Sequence, residues 1–157
     1  MSHGSDDSAN AGGALASGPE THWHIIESTD RWFQSYQHAV ASTATSRSAT
    51  VTRWNSQSVA GLLARLRQPP PKDAAIFLIW EYPLDEIPPT RLLDWIAKVS
   101  EQQPRAIQMA HVLPGVATSM LIALQEAGIS MVLHDLWALR RVIRRSERWP
   151  ATAASVR

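Results

Sequence analysis

Glu27, Glu81, His111, His134 and Asp135 carry the side-chain types from which a divalent-metal or acid–base site is built. Two imidazoles with three carboxylates are a donor set for Zn²⁺ or Mn²⁺ if the fold brings them to one rim. Their spacing offers little support: there is no HExxH helix, and the single HxH pair, His22 and His24, falls at the start of a β-branched, apolar run, where it is expected to cap an exposed edge. Polar residues also collect at strand ends without any ligand, so Glu81, His111, His134 and Asp135 are weak metal candidates and no cofactor is expected. Other chemistries are excluded more firmly. The chain has no cysteine, which removes disulfides, thiolate ligands and thiol nucleophiles. No GxGxxG or GxxxxGK[ST] stands at any strand-to-helix turn, so nothing cradles a nucleotide phosphate. Ser28 and Ser56 lack the Gly-x-Ser-x-Gly setting of a hydrolase nucleophile, and no catalytic activity is expected.

A second group of residues points to recognition. In LWALRRVIRRSER, Arg140, Arg141, Arg144, Arg145 and Arg148 share one helical stripe with Trp137, opposite Leu136, Leu139, Val142 and Ile143. Guanidiniums beside an indole are the residue types of interface hot spots, and they suit an acidic protein partner or phosphates. The competing reading is a solvated face whose arginines complement a helix C-terminus, with Trp137 buried under the helix. Nucleic acid is not expected: fifteen basic and fourteen acidic side chains leave a net charge of +1, and no groove-reading motif is present.

These residues are placed by an alternation of strands and helices. WHIIEST reads as a strand and DRWFQSYQHAVAS as a helix with Asp30 as its N-cap. ATVTRW is a second strand, and SQSVAGLLARLRQ buries Val59, Leu62, Leu63 and Leu66 before Pro69, Pro70 and Pro71 stop it. AAIFLIW, apolar on both faces, is the central strand of a covered sheet. Pro89 opens a helix through RLLDWIAKVSEQQ that Pro104 closes. AIQMAHV, GVATSMLIALQEA ended by Gly128, ISMVLH and DLWALRRVIRRSER complete five βα units. The pattern predicts a three-layer α/β domain over 21–148 with a five-stranded parallel sheet of order 2-1-3-4-5. Residues 1–20, poor in apolar side chains, are expected to be a disordered tail and 149–157 a short one. Neither a signal-peptide pattern nor a membrane-length apolar run is present, so a cytoplasmic location is expected.

Within this frame, IFLIWEYP followed by a helix and AIQMA resembles the third strand, proline-terminated loop and fourth strand of response-regulator receiver domains. ALQEAGISMVLHDLWALRRVI is similar to that family's closing turn, strand and helix. The resemblance spans about residues 22–147 and implies a flavodoxin-like fold and a role in signal transduction. It also implies a site that this chain does not fill. Receivers place a phosphoacceptor aspartate at the end of strand three, an acidic pair after strand one, a hydroxyl at the end of strand four and a lysine at the end of strand five. With the proline in register, Ile79 takes the acceptor position, or Trp80 after a slip of one. Glu27 and Ser28 stand for the acidic pair, Ala110 for the hydroxyl, and His134 with Asp135 for the lysine region. A two-residue shift would bring Glu81 to the acceptor position on the same face. The expectation is a degenerate receiver that binds a protein partner or a second copy through its last strand and helix.

Overall fold

The computed structural model describes residues 20–30, 32–43, 48–71 and 73–147. Both expected tails, and Arg148 of the arginine stripe, fall outside them. The chain alternates β1 (Thr21–Ile26), α1 (Phe33–Thr43), β2 (Ala49–Trp54), α2 (Val59–Leu66), β3 (Ala75–Tyr82), α3 (Pro89–Gln102), β4 (Ile107–Val112), α4 (Thr118–Ala127), β5 (Ile129–Leu133) and α5 (Leu136–Glu147). All pairings are parallel, in the order β2-β1-β3-β4-β5. This is the expected doubly wound sheet.

Because side chains alternate along a strand, each transverse row feeds one of two cores. Ile25, Ile79 and Met109 lie in register and pack with Tyr36, Val40, Leu139 and Ile143 beneath α1 and α5. The next row, Ile26, Trp80 and Ala110, turns the other way and packs with Leu62, Leu92, Ile96 and Leu124 of α2, α3 and α4. Trp80 is fully buried, and its indole N–H donates to Gln108 Oε1 at 2.9 Å. Gln108 in turn donates to Ile96 O and Ser100 Oγ, so this core contains a satisfied polar network. Gly128 ends α4 at φ 131°, and a Cβ there would collide with Ser100 Oγ.

Two expectations need correction. His22 and His24 do not cap an exposed edge: β1 lies between β2 and β3, and His24 is only 4% exposed. The N-terminus of α1 is not capped by Asp30. The Glu27 carboxylate reaches over the intervening turn and accepts the amide N–H groups of Trp32 and Phe33, both at 3.0 Å. Asp30 instead meets Arg53 Nε at 2.9 Å. No helix among the described residues is long and apolar enough to cross a membrane.

Candidate functional site

One position beyond the row of Ile26, Trp80 and Ala110, the sheet changes from apolar to polar. Glu27 follows Ile26, while Glu81 and His111 are register partners on β3 and β4. By alternation all three lie on the α1 side, directly above the Ile25, Ile79 and Met109 row. Trp32 and Tyr36 roof this polar row. The Trp32 ring lies 4.8 Å from the imidazole of His111, and the Tyr36 ring meets it edge-on at 6.2 Å. His111 is buried and Glu81 half-buried.

Glu27 has no exposure at all and is fully engaged. Besides the two α1 amides it accepts from Arg53 Nε at 3.2 Å, and Arg53 bridges on to Asp30. Burial pushes the Glu27 carboxyl above its usual range, opposed by the two amides and by Arg53. Tyr36 is also raised, first by burial and then by the charges of Glu81 and Glu27. The arrangement uses its carboxylate to fasten α1 to the sheet rather than presenting it to solvent.

The five-residue constellation weighed from the sequence as a weak alternative is therefore not assembled. Glu81 and His111 are adjacent and Glu27 belongs to the same row, but Glu27 is turned into the helix amides. His134 and Asp135 lie beyond β5 and are exposed, and the Asp135 carboxylate accepts the Ala138 N–H at 2.8 Å as part of the entry to α5. Among the described residues, no group of three or more histidine, aspartate or glutamate side chains could hold a metal ion. The Zn²⁺ or Mn²⁺ reading does not fit this geometry.

The positions matched to the receiver site separate just as clearly. Ile79 is 1% exposed and lies inside β3, three residues before its end, so keeping the proline in register selects a core position. Strand β3 runs on through Glu81 and Tyr82, and Pro83 follows at once. Glu81 is thus the carboxylate at the strand's end. Ser28 Oγ accepts the Asp85 N–H at 2.7 Å, tying the β1 loop to the β3 loop. Ala110 is buried, and it can offer neither a hydroxyl nor a charge.

On α5 the sequence reading is resolved toward exposure. Trp137 is 69% exposed, and Arg140 lies over its ring at 5.2 Å. Arg141, Arg144 and Arg145 are exposed on the same side, while Leu139, Val142 and Ile143 are buried against the sheet. Met131 on the edge strand β5 and Ile122 on α4 are also exposed, at 37% and 50%. Neither of these last two was singled out in the sequence. Ile122 sits in a helix that is apolar on several sides, so periodicity cannot assign it an outward face.

No protein-family model matches the chain, and no curated protein matches it. Solved structures do. A CheY-like response regulator receiver domain from Methanospirillum hungatei superposes with a TM-score of 0.57 at 8% identity, covering 82% of this chain and 97% of that one. A pilus assembly-related protein from Burkholderia pseudomallei gives 0.59 at 14% identity, over 82% of this chain and 90% of its own. A receiver domain from Rhodospirillum rubrum gives 0.55 at 9% identity, over 80% and 89%. At such identities the likeness is one of fold, and the chain has the (βα)5 architecture of receiver domains.

Proposed function

We propose that this protein is a receiver-like interaction module in signal transduction that works without aspartyl phosphorylation and recruits a protein partner through α5 and the β5 edge. The observation that carries the proposal is Trp137, a large indole left mostly in solvent with the Arg140 guanidinium over its ring. Exposed tryptophan beside arginine is what an interface core needs, since burial of the ring and desolvation of the guanidinium occur only on binding. The lack of a hydroxyl at Ala110 and of a lysine at His134 supports the other half of the reading, since the strand-end carboxylate Glu81 has neither beside it. So does the diversion of Glu27 to the α1 amides.

The charge of the face selects the kind of partner. A two-fold dimer presents the same patch from both copies. On α5 that brings Arg140, Arg141, Arg144 and Arg145 toward their counterparts, whereas a partner with carboxylates around an apolar socket satisfies both the arginines and Trp137. The reading therefore favours an acidic protein partner over a second copy.

The test pairs sedimentation velocity with affinity capture by the wild-type chain and by Trp137→Ala. The expected result is a monomer at all concentrations, with one captured protein that Trp137→Ala loses and that high salt releases. A concentration-dependent dimer abolished by the same substitution would replace the acidic partner with a second copy. Capture unaffected by Trp137→Ala would overturn the assignment of this face.

A further inference from the structure

The opposite end of the sheet holds a cavity that none of the functions above uses. It lies at the amino ends of β1 and β3, on the α2 side, with a volume of about 180 Å³, and is partly open to solvent. His22 and His24 of β1, Arg65 and Leu66 of α2, Ile76 of β3 and the Pro69 to Pro71 run form its principal walls. Three consecutive prolines give a wall without amide N–H groups, rigid and apolar. Leu66 and Ile76 extend the apolar lining.

His24 and Arg65 supply donors to this cavity, and Gln68 adds a side-chain amide that both donates and accepts. His24 Nδ1 accepts the Trp54 indole N–H at 3.0 Å, which fixes the neutral imidazole with its proton on Nε2. His24 can therefore offer only an N–H to whatever enters. Arg65 is exposed at the rim and adds a guanidinium, whose planar fork matches a carboxylate. Burial first, and then the charges of Arg65 and His22, depress His24 to a pKa of about 4. Arg65 is the formal positive charge of the lining. Glu20, the acidic group nearby, has its Oε1 3.5 Å from His22 Nε2. The lining carries the Arg65 guanidinium and no carboxylate, which favours an anion over a cation.

We infer that this cavity is a binding site for a small carboxylate with a flat apolar body, held by the Arg65 guanidinium and the Nε2–H of His24 against the proline wall. Trp54 supplies a reporter, since its indole N–H is bonded to the imidazole that would contact the ligand. The full-length protein, labelled with ¹⁵N, is titrated at neutral pH with benzoate, inorganic phosphate and benzamidine while the Trp54 indole resonance is followed. Benzoate is expected to shift that resonance saturably with a Kd near or below about 1 mM. Phosphate, lacking the apolar body, should bind more weakly, and benzamidine, the cation of the same shape, should not bind. Arg65→Gln, at an exposed position that leaves the fold intact, should weaken benzoate at least about tenfold. Three results would overturn the inference: no saturable shift with benzoate, equal binding of benzamidine, or benzoate binding unchanged in Arg65→Gln. Tighter binding of phosphate than of benzoate would overturn the carboxylate assignment.

Discussion

The carboxyl-end rim of β1, β3 and β4 and the outer face of α5 both collect polar and aromatic residues, yet they are built in opposite senses. At the rim, Glu27 is wholly buried and spends its carboxylate on two helix amides and Arg53, while Trp32 and Tyr36 close over His111. On α5, Trp137, Arg141, Arg144 and Arg145 face outward with no comparable closure, and Arg140 is half-buried. A phosphoryl-transfer site needs the first region open and charged; an interaction surface needs the second open and partly apolar. The distribution of burial, more than any motif, favours the second use.

The sharpest way to break this contrast is to put the missing chemistry back. Ile79→Asp should fail to create an acceptor and should cost more than about 4 kcal/mol, because the carboxylate would enter a core position without partners. Urea denaturation followed by tryptophan fluorescence reads the loss. Tolerance of the aspartate would mean that position 79 lies at an accessible strand end after all.

Buried ionisable groups should also make the body of the domain sensitive to pH. His24 titrates at 6.5 in the unfolded chain and at about 4 in the fold, so between those values the unfolded state binds the extra proton. Its contribution is complete above pH 6.5 and is lost as pH falls through that window, on the order of 3 kcal/mol. His24→Gln should flatten the loss of stability between pH 6.5 and 4. Glu27 acts with the opposite sign: its raised pKa weakens its contribution as pH climbs above 4.5, and Glu27→Gln should remove that slope.

Glu27→Ala, which leaves the Trp32 and Phe33 amides without their acceptor and removes one of Arg53's two carboxylate partners, should cost about 2–3 kcal/mol of unfolding free energy in urea denaturation at neutral pH. A change below about 0.5 kcal/mol would mean that the rim carboxylate is not structural. The smallest effect on stability is expected where the effect on binding is largest. Trp137→Ala should alter stability by less than about 0.5 kcal/mol. It should weaken partner binding by about 2 kcal/mol or more, measured by titration calorimetry with the captured protein.

Much of the architecture was legible in the chain, because each element carries its own punctuation. Pro69 to Pro71, Pro89, Pro104 and Gly128 mark boundaries, and the apolar spacing between them distinguishes the helices from the strands. The site was less legible, since register and loop closure are not local properties. Taking the proline of IFLIWEYP as the ruler put Ile79 at the strand's end, but β3 continues to Tyr82 and places Glu81 there. Asp30 has the type and position of an N-cap, yet the turn at 28–30 folds back and delivers Glu27 instead. His22 and His24 looked like edge residues because sequence does not reveal that the Pro69 to Pro71 run returns to wall them in. Trp137 was ambiguous for a simpler reason. Seven residues with the same ring occur in this chain, and periodicity alone does not say which is left outside.

The most direct measurement is the intact mass of the purified protein after incubation with acetyl phosphate and Mg²⁺. A single unmodified mass is predicted, since the strand-end Glu81 is half-buried beside His111, Glu27 is held under α1, and Ala110 and His134 offer no hydroxyl and no lysine for a phosphoryl group. Stoichiometric phosphorylation that disappears in Glu81→Gln would contradict it, and would make the strand-end carboxylate a working acceptor.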